Sequence, residues 1–319
     1  MQLDISTLDK WIPYKLLGSG DGMFCEWLYT GDEQFREAFF DETLSTCRRL
    51  PQNAGPQKNI TDIPTLLERA KKITVAEPSA IMFHISRCGS TIVSQALANN
   101  INHIVLSEVP FFDDVLREPS KHAYGQRRLL KEVIKFYSRQ KNGIGNKVFI
   151  KTDSWHIMFY KELRSMYPHV PFILLYRNPG EVVRSLNKKP GMHCIPQFVP
   201  QELLGIKEQV VTAADFYDYP IKVIEKYLEA YVDIFAKDDN AFLFNYNEGM
   251  LKVVADICKV VGVAFAEEDR LQMEERLKYH SKIPGEYFSP EPLAQSSSEK
   301  FSRVFELYKR LEGARVAGK

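Results

Sequence analysis

The chain has 319 residues, 45% hydrophobic and 26% charged, with 42 basic against 41 acidic side chains. Its length holds one large domain or two ordinary ones and supplies enough material for a sizeable core. A net charge of +1 argues against a nucleic-acid partner, and 17 glycines with 17 prolines exclude a collagen-like or disordered chain. The five cysteines (Cys25, Cys47, Cys88, Cys194, Cys258) are odd in number and form no CxxC pair. Neither a zinc knuckle nor a disulfide scaffold is indicated, and a reducing compartment is expected. The opening MQLDISTLDK carries no basic region followed by an apolar run, which predicts the absence of a signal peptide. The longest apolar stretches, such as 170–176, are far below the roughly 20 residues that span a bilayer. The expectation is a cytoplasmic protein with no membrane partner; oligomeric state is not legible.

Residues 1–50 are rich in aromatics, and 32–50 are predicted as a helix with Phe35 and Phe39 on one face. Residues 51–58 read as a loop, after which Asp62 is expected to cap a helix that carries Pro64 in its first turn. Short apolar strands are predicted at 80–85, 103–106, 147–151, 170–176 and 241–245. Helical spacing lies between them at 89–98, 126–139, 155–166, 181–186 and 221–235, and after them at 250–261, 267–279 and 299–311. Residues 281–298 read as loop. Strands alternating with helices predict a three-layer α/β/α fold with a central parallel sheet, carrying helical additions at both ends. The organisation expected is a single domain over 1–319, with 1–75 as a helical, aromatic extension and 80–190 as the α/β core. Residues 117–147 hold nine basic side chains against Glu118 and Glu132. That run is the wet face of a helix or, in a sharper reading, a rim that steers a polyanion.

Two segments carry chemistry. The first, HISRCGST over 84–91, lies between a strand and a helix. A strand running into a tight turn, with helix N–H groups aimed back at it, makes an anion cradle. Gly89 lets the backbone approach an oxyanion, Ser90 and Thr91 add hydroxyls, Cys88 contributes its N–H, and Arg87 adds a forked cation. The motif is not G-x-x-x-x-G-K-[ST]: His84 stands at the first glycine position and Ser90 at the lysine. The second segment is FILLYRNPGEVVRSL over 172–186, with Arg177 where an apolar strand ends, Asn178-Pro179 forcing a turn, and Ser185 eight residues beyond Arg177. Ligands of open parallel sheets bind outside the carboxyl ends of strands, where Arg177 could hold a second phosphate; a salt bridge to Glu181 is the plain alternative. Two anion sites at two strand ends imply one ligand with separated phosphates.

This ordered pair resembles the sulfotransferases that use 3′-phosphoadenosine 5′-phosphosulfate (PAPS). Arg87, Cys88, Gly89, Ser90 and Thr91 match the family's 5′-phosphosulfate loop. Arg177 and Ser185 match its 3′-phosphate motif in identity and spacing, with Glu181 where an Asp often sits. The likeness covers about residues 80–190 and is thin elsewhere. It implies a P-loop nucleotide-triphosphatase-like fold, PAPS as sulfuryl donor, adenosine 3′,5′-bisphosphate (PAP) as product, and no metal. The absence of a secretion signal argues against a Golgi role, so the acceptor expected is a small molecule sulfated on a hydroxyl or, in second place, an amine. By resemblance Arg87 acts on the leaving-group oxygens, an arginine there being a feature of the protein-tyrosine members. Lys151, in the KTD sequence 151–153, matches the lysine of a Lys-Thr-His run in cytosolic members, with Asp153 in place of the catalytic histidine. Glu108 lies twenty-one residues after Arg87, the spacing of the catalytic glutamate in the protein-tyrosine members. Glu108 is therefore the first base candidate and Asp153 the second, either being able also to cap a helix or pair with a cation.

His156 reads as structural, and His193 lies in the 187–199 segment that could line an acceptor pocket. Tyr246 and Asn247 resemble a late Tyr-containing segment of the family and are given no role. Lys282 and Lys300 are substitutes for a missing late arginine-lysine-glycine motif, and no adenine-stacking aromatic can be chosen. An unusual P-loop small-molecule kinase and a non-catalytic nucleotide-binding protein are the competing readings.

Overall fold

The computed structural model describes residues 9–118, 125–139, 147–207, 213–278 and 299–318. The expected loop at 281–298 lies outside them. In chain order the elements are β1 (Trp11–Leu17), β2 (Phe24–Tyr29), α1 (Phe40–Cys47), β3 (Asn59–Asp62), α2 (Ile63–Ala70), β4 (Ala80–His84), α3 (Ser90–Ala98), β5 (His103–Ser107), α4 (Pro110–Arg117) and α5 (Gln126–Tyr137). They continue with β6 (Lys147–Lys151), α6 (Tyr160–Met166), β7 (Phe172–Tyr176), α7 (Pro179–Lys188), α8 (Gln201–Leu204), α9 (Ala213–Phe235), β8 (Ala241–Asn245), α10 (Met250–Val260), α11 (Glu267–Leu277) and α12 (Ser302–Ala317).

Five strands form one sheet in the order β5-β6-β4-β7-β8, with parallel pairing at β5–β6, β4–β7 and β7–β8. All five residues of β4 and of β7 are buried, as expected for parallel strands covered on both faces. The first of these strands in sequence lies in the middle. The chain leaves β4 toward β5 but leaves β7 toward β8, so β4 and β7, in register at His84↔Leu175, flank a topological switch point. The α/β class and the parallel sheet are as predicted.

Contacts divide the chain into two compact units, residues 1–79, 97–153 and 161–170 in one and 80–96, 154–160 and 171–319 in the other. The first unit differs from expectation at its start. Residues expected as a helical extension form an antiparallel sheet, β1-β2-β3. Pro13 disguises β1; it is tolerated because β1 is an edge strand with a register shift between Pro13 and Lys15. The helix predicted over 32–50 shrinks to Phe40–Cys47. Phe35 is buried from outside any helix, 5.0 Å from the Phe40 ring and 6.3 Å from Tyr137. Its hydrophobic spacing thus came from loop packing rather than a helical face. Asp62 does cap α2, accepting from the Thr65 N–H at 2.8 Å with Pro64 in the first turn. Much of the basic run is neutralised locally: Arg117 pairs with Asp113, Lys131 with Glu77, Lys135 with Glu132, and Arg139 with Asp9.

The stretch predicted as one helix over 155–166 opens as a 3-10 turn, Ser154–Phe159, before α6. Helix α9 begins eight residues ahead of the predicted 221 and carries Pro220 inside it. Its buried Val223, Ile224, Tyr227, Leu228 and Tyr231 recur at three- and four-residue spacing, as an amphipathic helix requires.

Candidate active site

In the second unit the Arg87 loop and the Arg177 loop meet. Ser86, Arg87 and Gly89 all have positive φ (68°, 51° and 80°), which folds the chain after β4 into a tight turn. At Gly89 a Cβ would come within 2.7 Å of the Tyr246 ring and 2.8 Å of Met250 Sδ, so glycine is required by contact as well as by φ. The Ile92 and Val93 N–H groups both donate to the Gly89 carbonyl, starting the α3 ladder. The Ser90 and Thr91 amides therefore precede that ladder at the positive end of the helix. Cys88 is fully buried, its thiol 3.4 Å from the Leu175 carbonyl. His84 Nδ1 accepts from the Ser86 N–H at 3.2 Å and lies 3.3 Å from Ser154 Oγ. Arg87 donates through Nη2 to the Lys189 carbonyl, whereas its Nε is buried with no hydrogen-bond partner among the described residues. Burial lowers the pKa of this guanidinium, the mark of a cation held with too little compensation.

Arg177 follows β7 directly. Asn178 caps α7 by accepting from the Gly180 and Glu181 N–H groups, with Pro179 at the first helical position. Arg177 Nε and Nη2 bind Glu181 Oε2. The same guanidinium turns Nη1 to the Arg87 carbonyl at 3.3 Å and lies 4.2 Å from the centre of the Tyr246 ring. The plain reading, a salt bridge to Glu181, is therefore present, but it engages only one side of the fork. Ser185 lies half-buried on α7, where its carbonyl accepts from the Lys189 N–H.

The first unit holds Glu108, Lys151 and Asp153. Ser107↔Lys151 closes the parallel register of β5 and β6. Glu108, just past β5, has φ +56°, a strained conformation for a non-glycine residue, and donates its N–H to the Lys151 carbonyl at 2.8 Å. Lys151 Nζ lies 2.6 Å from Glu108 Oε1 and 4.7 Å from the Phe39 ring centre. Lys151 is 1% exposed and Glu108 is 21% exposed, so a buried ammonium meets a carboxylate that reaches solvent. Asp153 is buried and has a carboxylate oxygen within 4.8 Å of one on Asp113.

His156 is buried, and His193 is buried against the rings of Trp155 and Tyr227. Lys300 pairs with Asp218 at 2.6 Å and lines a cavity of about 470 Å³ with Ile206, Lys207, Ile221 and Lys222; none of the loop residues above lines it. Lys282 lies outside the described residues. Sequence reasoning gave no role to Tyr246 and Asn247, both of which prove to touch the Arg177 loop. The resemblance of their segment to a family motif was the one available signal.

Comparisons with known proteins give a likeness in three dimensions only. No family model matches the chain, and no curated protein matches it. A sulfotransferase structure from Mycobacterium avium aligns with 12% identity over 88% of this chain and 84% of its own, at a TM-score of 0.48. One from Alicyclobacillus acidocaldarius aligns with 13% identity over 76% and 96%, at 0.40. A mouse sulfotransferase complexed with PAP aligns with 12% identity over 66% and 68%, at 0.39. These structural neighbours are sulfotransferases. Among the described residues no helix is long and apolar enough to cross a membrane.

Proposed function

We propose that the protein transfers the sulfuryl group of PAPS to a hydroxyl of a small acceptor. The observation that carries this reading is the meeting of Arg87 and Arg177 across the switch point, with Arg177 Nη1 3.3 Å from the Arg87 carbonyl. Two permanent cations on loops after adjacent parallel strands suit a ligand bearing two separated phosphates. The buried Arg87 Nε, without a hydrogen-bond partner among the described residues, is a donor that an oxyanion would satisfy. The Gly89 turn and the α3 N-terminus present backbone amides to the same charge.

The donor, when bound, supplies an activated sulfuryl group whose departing partner is a phosphate. In this reading Arg87 and the Ser90 and Thr91 amides and hydroxyls hold the sulfuryl and leaving oxygens. Arg177, with Ser185, binds the 3′-phosphate. Glu108 takes the acceptor hydroxyl proton onto its carboxylate, and the Lys151 ammonium, 2.6 Å from that carboxylate, supplies positive charge beside it. Arg87 acts by charge and hydrogen bonding and stays protonated throughout.

Titration calorimetry with PAP and with adenosine 5′-monophosphate tests the reading. The expected result is a clear preference for the bisphosphate that Arg177→Ala abolishes, an effect of about tenfold or more for a charge-assisted contact. Equal, weak binding of the two nucleotides overturns it.

A further inference from the structure

We infer that Asn247 is a positioning residue for Arg177, fixing the guanidinium in the place where a second phosphate would dock. The inference rests on the donor-binding reading above.

Asn247 lies in the 3-10 turn Tyr246–Glu248 that follows β8. Its side-chain amide joins two parts of the Arg177 loop. Oδ1 accepts from the Asn178 N–H at 3.0 Å, and Nδ2 donates to Glu181 Oε1 at 3.2 Å. The first bond holds the residue next to Arg177 on its α7 cap; the second holds the carboxylate that grips Arg177. Glu181 is 8% exposed, and a carboxylate so buried needs donors on both oxygens. Asn247 serves Oε1, and Arg177 serves Oε2. This division of labour confines Glu181 to the Nε and Nη2 side of the fork, so that Nη1 faces the Arg87 loop.

Asn247 is itself anchored. Its N–H donates to Asn245 Oδ1 at 3.0 Å, and Asn245 Nδ2 donates to Tyr308 Oη at 2.9 Å. A continuous chain, Tyr308–Asn245–Asn247–Glu181–Arg177, thus runs from α12 to the proposed phosphate grip. Without the Asn247 amide, Glu181 Oε1 loses its donor and turns toward the remaining one, Arg177. The guanidinium would then be drawn into a two-oxygen pair and away from the ligand. Asn247→Asp adds a second effect by setting a carboxylate against Glu181.

Calorimetry on the full chain, with PAP and adenosine 5′-monophosphate as probes, separates the outcomes. The wild-type ratio of the two affinities measures what the 3′-phosphate adds. Asn247→Leu and Asn247→Asp are expected to reduce PAP affinity about tenfold or more while leaving the monophosphate within about twofold, which collapses the ratio. Asn247→Ser, smaller and still polar, provides the measurement if either variant fails to fold and is expected to lower the ratio in the same direction. A ratio that survives substitution overturns the inference. Equal loss of both affinities also overturns it, because general loosening of the fold weakens both nucleotides alike. A wild-type protein with no bisphosphate preference removes the donor reading itself, and the inference with it, before any variant is compared.

Discussion

At the scale of single residues, Lys151 and Glu108 form an ion pair whose ammonium is buried. An ammonium as buried as Lys151 is costly unless an opposite charge and favourable contacts offset its lost hydration; Glu108 at 2.6 Å and the Phe39 ring provide both. Glu108 sits at φ +56°, a strain that the surrounding register must enforce and one that collects at functional positions. We expect Glu108→Gln to slow single-turnover transfer by about a hundredfold or more, the contribution of a general base, with Asp153→Asn changing it only a few-fold. Loss confined to Asp153→Asn would move the base to that residue. Because the glutamine no longer balances the Lys151 charge, the variant should also lose about 3 kcal/mol of stability. Unfolding midpoints must therefore accompany the rates.

At the scale of elements, caps and turns carry the most readable physics. Asp62 accepts from the Thr65 N–H at the start of α2, and hydrogen bonding to Thr65 holds its carboxyl below the usual aspartate value. Asp62→Ala should cost about 1 kcal/mol at neutral pH, as loss of an N-cap does. A carboxyl with a depressed folded-state pKa binds fewer protons folded than unfolded at acidic pH. The cap's stabilisation is therefore present above about pH 3.8 and fades as pH falls through the lower folded-state value. Denaturant midpoints of the two proteins should converge on acidification; a constant gap would show that the carboxylate is not the capping group. Both this cap and the Asn178-Pro179 start of α7 were legible because their causes lie within four residues. The Phe35/Phe39 spacing misled because one ring packs on Phe40 and Tyr137 from a loop, a contact no local period encodes. Strand β1 was hidden by Pro13 and by four successive buried residues that show no alternation. Asn247 was legible only as part of a familiar segment, since its partners Asn178 and Glu181 lie 69 and 66 residues away.

For the whole molecule, the alternation of apolar strands with helices made the sheet readable, because a strand covered on both faces has to be apolar throughout. The strand order was not: nothing local distinguishes β4 as the central strand. If the two loops at its switch point bind one nucleotide, that ligand favours the folded state by mass action. PAP at a hundred times its dissociation constant should stabilise the protein by about 2.7 kcal/mol and raise the thermal midpoint by several degrees. The same concentration of adenosine 5′-monophosphate should raise it less. Equal shifts from the two nucleotides would leave the 3′-phosphate with no grip on the fold.

The bond from Arg177 to the Arg87 carbonyl spans ninety positions of sequence, and β4 must find β7 before it can form. A polypeptide emerging from a ribosome therefore makes the residues of the Arg87 turn long before those that would complete the proposed nucleotide grip exist. Pairings this distant are entropically expensive to nucleate and tend to form late. Nucleotide present during synthesis would meet an unfinished grip until at least β7 and its following turn had emerged, so it could steady the finished fold far better than it could guide its assembly.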